Sequence, residues 1–164
     1  MTLSLSMAEH VARARGDLRM GVPVILRDGT TSYLMAAAET LTTERLADLQ
    51  SIGQPAVAIT RHRADTLKAR AYDGDLARIT VRDDMRAMDV TAIADPSLAL
   101  ASPLLGPFVT ARGGHAGTHR AAVRLAKSAR LLPAVVTVAV SPEQGRTLAA
   151  SETLSIITHE DWNG

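Results

Sequence analysis

Near the start of the chain, apolar residues recur at three- and four-residue intervals (Met7, Val11, Ala14, Leu18) and therefore share one helical face. This spacing predicts a helix over 7–20, stopped by Gly21 and Pro23. The pattern then changes to short apolar runs with β-branched residues. Residues 22–26 and 33–37 read as strands joined by the turn Arg27-Asp28-Gly29-Thr30. Thr42 is placed to cap a helix, with Glu44 in its positive first turn, Leu46, Leu49 and Ile52 on its inner face and Gly53 at its end. A strand at 56–59, a helix at 61–69 and extended chain at 76–81 follow, whereas 83–107 shows no clear period. The strongest helical signal lies at 121–132, and Pro133 closes it before a strand at 134–140. Residues 141–145 read as a polar turn and 154–157 as a last strand. Helices alternating with short buried strands predict an α/β (α+β) domain, in which a mixed, twisted sheet is covered by helices in a three-layer arrangement.

Composition narrows the chemistry. The 164 residues have the length of one ordinary domain, with no internal repeat or linker, so 1–164 is read as a single unit. A hydrophobic fraction of 46% is that of a globular chain. The absence of cysteine removes disulfides, thiolate zinc sites, iron–sulfur clusters and cysteine nucleophiles together. Tyr33, Tyr72, Phe108 and Trp162 are the only aromatic residues, too few for a surface on which bases stack. Eighteen basic against seventeen acidic side chains leave a net charge of +1, which provides no field to steer a polyanion. Neither nucleic acid nor membrane is expected as a partner. With no secretory pattern at the N-terminus and no long apolar run, the chain reads as cytoplasmic.

Candidate chemistry gathers at Arg112-Gly-Gly-His-Ala-Gly-Thr-His-Arg120. Were both helical, His115 and His119 would share a face; the glycines at 113, 114 and 117 favour a loop leading into a helix, and no third metal ligand is identifiable. Such a loop presents backbone N–H groups to an anion, and Arg112 and Arg120 add charge for a phosphate. Arg61-His62-Arg63, where a strand passes into a helix, forms a second basic cluster, so Arg61 and Arg63 are further phosphate-binding candidates. Asp83-Asp84 can be read either as carboxylates for magnesium or as a polar turn.

Four stretches carry a family resemblance. Ala37-Ala38-Glu39-Thr40-Leu41-Thr42-Thr43-Glu44, Ala58-Ile59-Thr60-Arg61-His62-Arg63-Ala64, the pattern Ala121-Ala122-Val123-x-Leu125-Ala126-x-x-Ala129-x-Leu131-x-Pro133-Ala134, and the tail from Leu154 to Trp162 resemble 3,4-dihydroxy-2-butanone 4-phosphate synthase. That family comprises the magnesium enzymes of riboflavin biosynthesis, which convert ribulose 5-phosphate into a four-carbon phosphate and formate. The similarity is closest to the domain that precedes GTP cyclohydrolase II in some bacteria. It implies the family's fold, a homodimer and a GTP cyclohydrolase II module as partner, with His115 and His119 as the catalytic candidates beside the position of the family's active-site histidine. Aligning the downstream helix places Gly117-Thr118-His119-Arg120 against Gly-His-Thr-Glu, whereas aligning the loop places Arg112-Gly113-Gly114-His115 against Arg-Gly-Gly-His.

The departures concern the chemistry. Where the family has an acidic run that supplies magnesium ligands and acid–base groups, this chain has Leu26-Arg27-Asp28-Gly29-Thr30-Thr31-Ser32-Tyr33, with one carboxylate. The family's substrate-binding segment is shortened to 79–86, and the cyclohydrolase's cysteine-bound zinc has no ligands here. The expectation is a catalytically degenerate domain with a structural or regulatory role and no cofactor. The alternatives are a sugar-phosphate enzyme, for which magnesium would be needed, and a phosphate-ligand sensor. Thr158 and Asp161 resemble a capping box for a helix that Gly164 cuts short, which implies a truncated chain or a following module.

Overall fold

The protein is described by a computed structural model for residues 3–29, 31–98, 108–111 and 116–158. The first helix, α1 (Met7–Arg19), opens with a reciprocal capping box between Ser6 and Glu9 and buries Val11, Ala14 and Leu18, the predicted face. Gly21 then turns the chain with φ of +80°, and a Cβ there would meet the Thr40 carbonyl oxygen at 2.9 Å, so only glycine fits.

The hairpin predicted around Arg27-Asp28-Gly29-Thr30 is formed by β1 (Val24–Asp28) and β2 (Thr31–Ala37). It is followed by α2 (Thr43–Ile52), β3 (Ala56–Thr60), α3 (Arg61–Leu67) and β4 (Leu76–Thr80). Thr42 caps α2 as expected, its hydroxyl accepting from the Arg45 N–H. The stretch without a clear period contains α4 (Ala87–Ala94) and a 3₁₀ turn, Pro96–Leu98. Six of the eight residues of α4 are buried, so it carries no polar face from which a helical period could be read.

The first two strands run 24–28 and 31–37 rather than 22–26 and 33–37, α3 stops at Leu67, and larger differences lie in the second half of the chain. The helix placed at 121–132 is α5 (Gly117–Ser128): it starts four residues earlier, and Arg130, in the left-handed region at φ of +64°, ends it early. The polar turn placed at 141–145 is the beginning of α6 (Pro142–Glu152), with a Ser141–Gln144 capping box and proline in the first turn. Only Gly145 is buried in α6, which leaves almost no apolar periodicity in that segment. The last strand, β6 (Ile156–Thr158), is shorter than expected, and β5 (Ala134–Val140) matches. Thr158 ends β6, while Asp161 lies outside the described residues.

The six strands form one sheet in the order β4-β3-β5-β2-β1-β6, antiparallel except for the β1–β6 pair at one edge. Strand alternation divides the core in two. Val24, Leu26, Met35 and Ala58 point to the face covered by α1 and α5, and Ile25, Leu34, Val57 and Ile59 to the face covered by α2, α3 and α4. This α+β architecture has the predicted three layers. No helix among the described residues is long and apolar enough to cross a membrane.

Candidate functional site

Polar side chains collect on the α5 face of the sheet, beneath the first turn of that helix. Because α5 begins at Gly117, Thr118 and His119 point down onto the strands. The Thr118 hydroxyl donates to the Asp28 carboxylate at 3.2 Å, tying α5 to the β1–β2 hairpin. His119 is 3% exposed; its Nε2 lies 3.2 Å from the Thr137 hydroxyl, and Tyr33 packs edge-on with ring centroids 4.6 Å apart. Tyr33, Thr137 and Arg78 occupy alternating positions on β2, β5 and β4 that face the same side.

The Thr137 hydroxyl also reaches the Ala56 carbonyl at 3.5 Å. When its proton is used there, Nε2 must carry the imidazole hydrogen and donate to Thr137. Nδ1 is buried and makes no hydrogen bond among the described residues. Burial lowers the His119 pKa to about 4; the nearby Arg78 cation pushes it the same way and Asp73 opposes. The ring is neutral at pH 7 and, being covered, is poorly suited to exchange protons with a substrate.

Alongside lies a network of two arginines and two aspartates. Arg78 and Asp73 form a paired fork at 2.8 and 3.0 Å, with both side chains less than a tenth exposed. Arg120 donates through Nε to both carboxylate oxygens of Asp75, at 2.8 and 2.9 Å, and through Nη2 to the Asp73 carbonyl at 2.9 Å. This arginine, expected to hold phosphate, thus anchors α5 to the loop before β4.

The other basic candidates are dispersed. Arg63 is buried, and its Nε and Nη2 donate to the carbonyls of Ile93 and Ala92 at 2.8 and 3.0 Å, so those donors close the end of α4. Arg61 is exposed and 3.9 Å from Asp65, on the same helix. Arg112 and His115 lie outside the described residues. Asp84 accepts from Arg82 at 3.1 Å, within an exposed turn. No local pattern marks Asp73, Asp75 or Thr137 as part of this network, whereas Arg78 stands as a lone arginine in the apolar run 76–81, a legible signal.

The fold is that of 3,4-dihydroxy-2-butanone 4-phosphate synthase. A crystal structure of the Candida albicans enzyme is similar with a TM-score of 0.66 at 18% identity, over 92% of this chain and 94% of that one. A structure of the synthase in complex with two magnesium ions gives 0.66 at 17%, over 92% and 93%. RibBX from A. baumannii, described as a two-domain synthase, gives 0.61 at 21%, over 92% of this chain and 56% of that one. No protein-family model and no curated protein matches the sequence.

Among the described residues, the donors a magnesium ion would need are not brought together. A hard dication takes several carboxylate or carbonyl oxygens. The hairpin brings Asp28, already bonded to Thr118, and no group of three His, Asp or Glu side chains among the described residues could hold a metal ion.

Proposed function

We propose that this chain is a dihydroxybutanone phosphate synthase-like domain that keeps the scaffold without the chemistry. Its role is structural or regulatory and belongs to riboflavin biosynthesis. The observation that carries this reading is the inward pairing of the α5 first turn. Thr118 is bonded to Asp28, His119 is neutral and covered, and Arg120 is bonded to Asp75. Enolisation of a sugar phosphate needs an exposed base and a polarising cation, and these side chains offer neither.

The two-domain organisation named for RibBX supports reading the chain as a module that works beside another domain, a GTP cyclohydrolase II unit being the partner in view. A homodimer in the cytoplasm completes the proposal, and light scattering on the purified protein would measure its mass in solution. The activity test is incubation with ribulose 5-phosphate and magnesium, followed by detection of formate. Release at the background rate is expected; turnover of about 1 per second or faster would overturn the reading.

A further inference from the structure

Away from the α5 turn, a cleft of about 500 Å³ opens between α3 and the loop leading to β4, lined by Arg61, Asp65, Lys68, Arg70 and Tyr72. Three cations and one carboxylate meet there. Asp65 compensates little of that charge, since it stands 3.9 Å from Arg61 with both side chains about two-thirds exposed. Among the described residues, Lys68 and Arg70 have neither an ion pair nor a side-chain hydrogen bond. Like charges gathered around a concavity repel one another unless an anion lies between them.

We propose that this cleft binds a small phosphate-bearing anion. Its volume is that of a small-molecule site. A guanidinium fork and a lysine ammonium are the side chains that recognise phosphate oxygens. A polymeric anion is the poorer occupant, because the net charge of +1 gives the whole protein no pull on it. The site groups Arg61 with Lys68 and Arg70 rather than with Arg63, whose guanidinium is committed to carbonyls.

The ligand would be coupled to α5. Directly after Tyr72 the loop carries Asp73 and Asp75, which hold Arg78 and Arg120, and the Arg61 N–H donates to the Asp75 carbonyl at 2.9 Å. An anion that draws Lys68 and Arg70 together therefore stiffens the loop against which the first turn of α5 is anchored. This inference is independent of whether the α5 turn is catalytic.

Titrating the full chain with pyrophosphate at constant ionic strength, followed residue by residue by amide NMR, tests it. Saturable shifts are expected at 68–72 and onward through 73–75 to 117–120. Lys68→Gln and Arg70→Gln should each weaken binding about tenfold without changing the melting temperature, while Arg124→Gln, an equal charge change at an exposed position of α5, should not. Absence of saturable shifts, unaltered affinity in the first two variants, or equal weakening by Arg124→Gln would overturn the proposal.

Discussion

Burial of His119 beneath α5 makes its ionisation a folding variable. Its folded-state pKa of about 4 is below the ordinary 6.5, so the unfolded chain binds the proton more readily. Stability is therefore fully present above pH 6.5 and is lost as the pH falls from 6.5 towards 4, by about 3 kcal/mol over the window. Urea midpoints measured from pH 7.5 to 4 should show this decline, and His119→Gln should flatten it. Arg63 offers a second residue-scale test. Removing it leaves the Ile93 and Ala92 carbonyls without their buried donors, so Arg63→Ala should cost about 2–3 kcal/mol in denaturant unfolding. Arg63→Lys should restore only part, because an ammonium lacks the planar fork that reaches both carbonyls. Both residues were legible in the sequence as candidates for chemistry. What was not legible was their burial, because a polar side chain on a short helix gives no sign of which layer lies against it.

At the scale of elements, the helix ends are where local sequence is weakest. Lys68, Arg130 and Thr153 all take left-handed conformations just past α3, α5 and α6, with φ between 57° and 64°. Glycine adopts that region without the Cβ strain the other residues carry, about 1 kcal/mol each. Arg130→Gly and Thr153→Gly should therefore raise the unfolding midpoint, and the β-branched Thr153 position should gain more. Gly21→Ala acts in the opposite direction: at φ of +80° and 2.9 Å from the Thr40 carbonyl, it should destabilise by about 1–3 kcal/mol in the same assay. Ends are legible where a side chain or a glycine marks them, as Thr42 and Gly53 mark the two ends of α2. Ser6 and Thr42 cap with their own side chains, whereas Arg130 ends α5 by a backbone conformation that its side chain does not announce. The beginning of α6 reads as a turn in the sequence because Ser141-Pro142-Glu143-Gln144 is equally good chemistry for a turn and for a capped helix start.

For the whole molecule, the sheet is the shared wall of two apolar layers, so damage to either should be felt by both. Met35→Ala, on the α1–α5 side, and Leu49→Ala, on the α2 side, each remove a fully buried side chain and should each cost about 3 kcal/mol. Calorimetry should show one transition for each variant, with equal van't Hoff and calorimetric enthalpies, because strands β2, β5 and β3 contribute side chains to both layers. The sequence by itself determined the strands and most of the helices, the single-domain length, the lack of thiol chemistry and the likeness to the synthase fold. The first three follow from local periodicity, from capping residues and from composition, which act over a few neighbours or over the chain as a sum, while the likeness rests on the matching stretches 37–44, 58–64, 121–134 and 154–162. Tertiary structure alone decided the fate of the polar residues. Antiparallel pairing of β3, β4 and β5, with α5 laid across them, buries His119 among Tyr33, Thr137 and Arg78 and sets Arg120 against Asp75, partners separated by 18 to 86 positions along the chain. Electrostatic and hydrogen-bond partnerships depend on distance in space, and a linear pattern carries no record of that distance.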